Sequence, residues 1–242
     1  MRLAVTMVAL ASLVACRDAP ARVGQEATPM PTPTPRGTLL TCGVPKDTFP
    51  PSALDAPADA EKASGAASDA LRAWLADPDN EQFAKGGGWR ALVATDSDAV
   101  FAQGTPPGIT VRFERRAGAW KWANSAGRCD LRVLPPPGLG AGEWQPATAV
   151  RPADTAFVAN VWERSCSGGK PPEGRVAPPE IEYTATTVVV TFFVRPRGGS
   201  QTCQGAPSTP YDVVLREPLG ARKLLDGGTY PPRVPRSPYA GG

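Results

Sequence analysis

Residues 188–194, Val188-Val189-Val190-Thr191-Phe192-Phe193-Val194, are apolar on both faces of an extended chain. Because successive strand residues point to opposite faces, such a run predicts a strand that is covered on both sides. Further strand-like runs lie at 157–163, 180–183 and 211–215, and no helical periodicity occurs between 144 and 231. We therefore predict that 144–231 forms a small all-β module, sandwich- or barrel-like, in which residues 188–194 are a central strand.

The preceding segment, 38–134, combines one helical pattern with several strand-like runs. Apolar and polar residues alternate over 109–115 and again over 129–133, which predicts half-buried strands of an antiparallel meander. A helix can begin at Pro57 and end before Asp77-Pro78, and its apolar face would comprise Ala60, Ala63, Ala67, Leu71 and Trp74. The predicted fold class is thus α+β: an N-terminal helix packed on an antiparallel β-meander, followed by the all-β module.

Proline and glycine mark the predicted boundaries. The 242 residues include 29 prolines and 25 glycines, a combined share well above the usual ~12%, which favours short strands and loops over a helical bundle. Pro135-Pro136-Pro137-Gly138 predicts a linker over 135–143 between the modules. The Pro-, Arg- and Gly-rich tail, 232–242, is predicted to be disordered.

The N-terminus has the features of an export signal. One charge, Arg2, precedes an apolar run over residues 3–14, which is shorter than the ~20 residues that a membrane-spanning helix needs. The run ends in Leu13-Val14-Ala15-Cys16, which resembles the lipobox of bacterial lipoproteins. The resemblance implies a signal peptide over 1–15 and a diacylglycerol with palmitate-type chains on Cys16. It also implies anchoring to the extracytoplasmic face of the cell membrane; the alternative is an ordinary secretory signal.

Residues 16–37 form the predicted lipidated linker between Cys16 and the first module. Threonine and proline alternate over 28–35. Because proline fixes φ and removes a backbone donor, this stretch favours an extended polyproline II conformation of ~3.1 Å per residue. The segment is therefore predicted to be a stalk.

The cysteine count predicts two disulfides. Five cysteines occur, and four remain if Cys16 carries lipid. In an oxidising compartment an even number indicates bridges, for which three pairings are possible. We favour Cys42–Cys129 and Cys166–Cys203, because each pair then lies within one module.

Several kinds of chemistry have no residues to support them. The chain has no histidine, which excludes Ser-His-Asp and Cys-His catalysis and histidine-ligated zinc. Ser167-Gly168-Gly169-Lys170 fits the S-x-x-K pattern of penicillin-binding proteins, but two glycines and the following Pro171 make the required helix implausible. A net charge of +3 is too small to indicate nucleic acid. We predict no catalytic, cofactor-binding or metal-binding residue.

Two groups of residues suggest binding. Arg112, Arg116, Lys121 and Arg132 are predicted to share the polar face of the meander, where they could contact an anionic phospholipid or wall polymer. The alternative for them is a solvated sheet face. Trp120 and Trp122 could stack on a sugar ring, although their register with Val111 and Phe113 favours packing in the core.

These patterns predict a function class without naming a ligand. The segment 203–228 resembles a run found in uncharacterised exported proteins of GC-rich Gram-positive bacteria, a likeness that implies no activity. We expect a membrane-anchored lipoprotein with a non-catalytic binding or structural role in the cell envelope and an unidentified envelope ligand or protein partner. The alternatives are an envelope-polymer hydrolase that uses paired carboxylates, and a secreted-type inhibitor or assembly factor.

Overall fold

A computed structural model of the chain describes residues 38–43, 47–104, 107–127 and 129–237. These residues belong to one compact unit, Thr34–Gly242. The signal, Cys16 and the proline-rich stalk lie outside the described residues. The described chain is mixed and rich in β-structure, as predicted, and most of its strand pairs are antiparallel.

The first sheet is an antiparallel meander of four strands in chain order: β3 (Trp89–Ala94), β4 (Asp98–Gln103), β5 (Ile109–Arg116) and β6 (Ala119–Gly127). Both of its faces are covered. Phe101 and Val111 belong to one core cluster, and Val100 belongs to another on the opposite side. The strands therefore have apolar neighbours on both sides, although the sequence of β5 alternates.

The helix that covers the first face is shorter than predicted. Helix α1 spans Ala66–Leu75, not a segment beginning at Pro57. Gly65 has φ 126°, a conformation that no helix continues, so residues before it form turns. Ala60 is nevertheless buried, because its turn is held by a hydrogen bond from its amide to the carbonyl of Trp89 at 2.8 Å. The apolar spacing before Gly65 thus reflects burial of turn residues and not a helix. A short second helix, α2 (Glu81–Ala84), follows α1.

A small sheet covers the other face of the meander. It contains β1 (Leu40–Thr41), β2 (Thr48–Phe49) and β7 (Arg132–Val133), in the order β2-β1-β7. Leu40 and Phe49 are fully buried against Val100. The disulfide Cys42–Cys129 links the residue after β1 to the segment before the neighbouring strand β7, with a Cα–Cα distance of 4.7 Å.

The second half of the chain forms two further sheets. One has the order β12-β8-β9-β13 and the other β10-β11-β14, in which only β11 and β14 run parallel. Their strands are β8 (Gly140–Pro146), β9 (Ala156–Glu163), β10 (Glu180–Tyr183), β11 (Thr187–Thr191), β12 (Phe193–Val194), β13 (Thr209–Val214) and β14 (Lys223–Asp226). Residues 188–194 are buried as predicted, but the chain passes from one sheet to the other at Phe192.

Two predicted boundaries need correction. Residues 140–143, assigned to a linker, begin strand β8. Gly142 lies against Phe192, and an added Cβ would come within 3.0 Å of the phenylalanine Cβ. Glycine is therefore needed at this position for close packing and not for a turn. Residues 232–237 of the tail contact the rest of the fold: Arg233 forms a β-bridge with Asp226, and the Ser237 amide donates to Oε1 of Gln145 at 3.0 Å. Residues 238–242 lie outside the described part.

The two predicted modules contact each other directly. The Val133 amide donates to the carbonyl of Gly228 at 3.3 Å, and the Tyr230 amide donates to the carbonyl of Leu131 at 3.0 Å. The Tyr230 ring also packs against the core cluster that contains Leu40. The segment after β14 therefore completes the edge of the small N-terminal sheet.

Candidate functional site

Four charged side chains meet where β7 approaches β8, and we call them the junction cluster: Asp130, Arg132, Glu143 and Arg164. The Arg132 side chain is only 4% exposed, and its Nη2 lies 2.6 Å from Oδ2 of Asp130 and 2.5 Å from Oε1 of Glu143. Arg164 binds the same two acids from the solvent side, at 2.7 Å from Glu143 and 3.3 Å from Asp130. Although burial works in the opposite direction, Arg132 and Arg164 hold the pKa of Asp130 below its usual value.

Asp226 lies beside this cluster at the end of β14. Burial raises the pKa of its carboxyl group to about 6. The Gly228 amide, which donates to its Oδ1 at 2.9 Å, and the charges of Arg132 and Arg233 oppose that rise, whereas Glu143 adds to it. Asp226 is therefore a buried acid that titrates in the physiological range.

We predict that Asp226→Asn changes how stability depends on pH. The folded protein holds the Asp226 proton up to about pH 6, whereas the unfolded chain releases it near 3.8, so this group stabilises the fold at low pH. That stability is lost as the pH rises through about 6, a cost on the order of 3 kcal/mol. Denaturant titrations at pH 4.5 and 7.5 measure the free energy of unfolding at each pH. Between these two values it should decrease less in the variant than in the wild type.

The matched control for this measurement is Asp154→Asn. Asp154 is held by Arg151, which lowers its pKa, so it titrates below the window in question. Its removal should leave the difference in stability between pH 4.5 and 7.5 unchanged. Equal pH dependence in wild type and Asp226→Asn would contradict the assignment of a raised pKa to Asp226.

Two adjacent pockets open beside the junction cluster and share Arg164 and Ser165. The first, of about 380 Å³, we call the polar pocket; its lining is Glu143, Glu163, Arg164, Ser165, Cys166, Ser167, Cys203, Gln204, Gly205 and Ala206. The second, of about 510 Å³, we call the apolar pocket, because Val133, Leu134, Leu139 and the prolines 135–137 form much of its wall. Both volumes fall within the ~300–1,000 Å³ of small-ligand sites.

A buried carboxylate lines the polar pocket. The Glu163 side chain is 1% exposed and its Oε2 lies 2.6 Å from Nη2 of Arg175. The two groups are thus close enough for an ion pair, but neither oxygen of Glu163 makes a hydrogen bond of good geometry. The alternation of β9 places Glu163 and Trp162 on opposite faces of their strand.

The rim of the polar pocket consists of two loops joined by the disulfide Cys166–Cys203, whose Cα atoms are 4.3 Å apart. Both cysteines are exposed. Gly169 has φ 73°, and a Cβ there would lie 3.1 Å from Oε1 of Gln204, so this position requires glycine. Ser167 precedes two residues with positive φ and is not in a helix, which agrees with the rejection of the S-x-x-K match. Both predicted cysteine pairs are therefore present as disulfides.

The predicted anion-binding face is wrong for two of its four residues. Arg112 is buried between Asp47, at 2.7 Å, and Asp98, at 2.5 Å, and Arg132 is buried in the junction cluster. Arg116 is exposed but paired with Glu114 at 2.7 Å, and Lys121 is exposed on the edge strand β6. The prediction assumed one solvated sheet face, whereas the small N-terminal sheet covers the face that holds Arg112.

The two tryptophans of β6 have different surroundings. Trp120 is partly buried and packs against the core cluster beneath α1, as predicted. Trp122 is 53% exposed, although its backbone is paired with that of buried Phe113. It is a single exposed ring on an edge strand, not half of a stacking platform.

Comparisons with protein-family models, curated proteins and solved structures find no match to this chain. The likeness of 203–228 to exported proteins stays a prediction. Among residues 38–237 that the structure describes, none of the helices is long and apolar enough to cross a membrane. The same described residues contain no group of three or more acidic, cysteine or histidine side chains placed to hold a metal ion.

Proposed function

We propose that the protein is an exported lipoprotein, held by lipid on Cys16 to the extracytoplasmic face of the membrane, that binds an envelope ligand without transforming it. In this proposal the stalk separates the anchor from a helix-and-meander module and a sandwich-like module. The ligand site comprises the polar pocket of the second module and the adjacent apolar pocket, whose wall includes residues of both modules. A polar pocket next to an apolar one, with two exposed cysteines bridged at its rim, supports a binding role.

The observation that carries the non-catalytic assignment is the pairing of the pocket carboxylates. A carboxylate hydrolase needs one acid that is protonated near neutral pH and a second, free carboxylate opposite it. Glu143 is bound by Arg132 and Arg164, and Glu163 is paired with Arg175. Each pocket carboxylate therefore already has a guanidinium partner, so neither is the free carboxylate that such a mechanism needs. Asp226 and Glu182, two acids whose pKa burial raises, are not part of either pocket wall.

The hydrolase alternative keeps one observation in its favour, since Glu143 and Glu163 line the same pocket. Incubation with purified cell-wall polymer distinguishes the two. Release of new reducing ends by the wild type, lost in Glu163→Gln, would establish hydrolysis and overturn the binding assignment.

Anchoring is tested at Cys16. We expect the mature wild type to partition with membranes and to carry acyl mass on this cysteine, because the lipobox-like run places it after a small residue. Cys16→Ser should remove the acyl mass and either release the protein or leave its precursor unprocessed. Mass spectrometry of the N-terminal peptide, with fractionation of the cells, measures both effects. If the Cys16→Ser variant is processed and still stays membrane-bound, the anchor lies elsewhere.

A further inference from the structure

We propose that the ligand of the polar pocket is a neutral, polyhydroxylated molecule, namely a glycan segment of the envelope. This inference deepens the proposed function and rests on it for the pocket being a binding site. Three properties of the lining indicate this class of ligand: its charge balance, its free hydrogen-bonding groups and its small apolar surface.

The charges around the polar pocket balance. The carboxylates of Glu143 and Glu163 line it, and Asp130 lies directly behind. Each is within ion-pair distance of at least one guanidinium group, from Arg132, Arg164 or Arg175. Arg233 also lies 3.8 Å from Asp130, and Asp226 lies beside the same cluster, so four acids and four arginines leave little net charge to attract either a cation or an anion. A charged ligand would have to compete with an existing partner for every charged group it contacted.

Hydrogen-bonding capacity remains after the ions are paired. Ser165 and Ser167 contribute hydroxyl groups and Gln204 contributes an amide, so the lining offers both donors and acceptors. Although Oε2 of Glu163 lies 2.6 Å from Nη2 of Arg175, neither oxygen of this buried carboxylate makes a hydrogen bond of good geometry, and such a buried acceptor is costly. A hydroxyl donor that reached it would remove that cost. Sugars present many hydroxyl groups that donate and accept in fixed directions, which matches this mixed set.

The apolar part of the lining is small. The Cys166–Cys203 bridge and Ala206 supply it, and none of the described residues that line the polar pocket is aromatic. This surface is enough to contact the carbon–hydrogen face of a sugar ring but offers no deep hydrophobic slot. The polar pocket therefore favours a hydrated polyol over a lipid chain or an apolar side chain.

The test uses the full chain, purified in a detergent that has no sugar head group. Saturation-transfer NMR with three neutral trisaccharides (tri-N-acetylchitotriose, maltotriose and mannotriose) at millimolar concentration reports binding. We expect saturation transfer to at least one of them. Gln204→Ala should weaken that binding about five-fold, because it removes a hydrogen-bonding group worth ~1 kcal/mol. Gln201→Ala is the matched control: it changes the same residue type on the same exposed loop, outside the lining, and binding should be retained.

Each outcome decides the inference. Absence of transfer to all three trisaccharides, or binding that Gln204→Ala leaves unchanged, overturns it. Preference for glucuronate-containing oligosaccharides over neutral ones, with an affinity that falls with salt, also overturns the neutral assignment. Acylation of Cys16 without trisaccharide binding leaves the lipoprotein proposal standing and removes the glycan. Trisaccharide binding that depends on Gln204, in a chain without acyl mass, keeps the glycan site and removes the anchor.

Discussion

Arg112→Met is expected to lower the free energy of unfolding by about 3–5 kcal/mol. The Arg112 side chain is 8% exposed, and it neutralises Asp47, which is 3% exposed, together with Asp98 and Glu114. Methionine keeps the apolar stem of arginine but removes the charge, so Asp47 would remain buried without a counter-ion. Denaturant titration followed by tryptophan fluorescence measures the change.

The control for Arg112 is Arg116, which lies on the same strand and also contacts Glu114. Arg116→Met also removes a partner of Glu114, but this side chain is 64% exposed, so its loss should cost less than about 1 kcal/mol. In the double variant Arg112→Met/Asp47→Asn the buried charge disappears, and part of the lost stability should return. If both arginine variants lose the same small amount, the buried ion pair around Arg112 is not formed.

Replacement of both cysteines of the Cys42–Cys129 bridge by alanine should cost roughly 4–5 kcal/mol. The bridge closes a loop with a sequence separation of 87 residues, and in the chain-entropy description such a loop strongly restricts the unfolded chain. Both cysteines also pack against the core cluster that contains Leu40 and Leu131. Denaturation midpoints under non-reducing conditions measure the loss.

The second disulfide provides the comparison. Cys166–Cys203 closes a loop with a separation of 37 residues and lies at an exposed pocket rim, so its removal should cost about 1 kcal/mol less. Its main effect should fall on the shape of the polar pocket. Non-reducing peptide mapping is the direct check: a peptide that joins Cys42 to Cys166 or Cys203 would refute both bridges.

The strands were predictable where burial and local pattern agree. Residues 180–183 form β10 as predicted, and the run at 188–194 is buried because it has no polar face to expose. The start of α1 was not predictable, because the sequence does not reveal that Gly65 has φ 126°. The beginning of β8 was not predictable, because its glycine follows a tertiary contact. Gly142 is small because Phe192 lies against it, and that neighbour is fifty residues away in the sequence. Without such a neighbour, the same glycine-containing segment would indicate a loop.

The candidate site was beyond the reach of local patterns. Arg132, Glu143 and Asp226 come from three separated strands, and no fixed spacing connects them. The arginines of the meander looked like a charged surface because alternation reveals which residues share a face but not whether that face is covered. The composition does limit the catalytic chemistry that can be expected, since a chain without histidine has fewer ways to arrange an acid–base pair.

The hydrogen bonds between residues 131–133 and residues 228–230 determine when the N-terminal sheet can be completed during synthesis. A ribosome releases the N-terminal end first, so residues 228–230, which bond to residues 131–133, are synthesised about a hundred residues later than β7. A pairing across about a hundred residues also forms slowly, because the intervening loop must first be closed. The edge of the N-terminal sheet therefore stays incomplete until residues 228–230 have emerged.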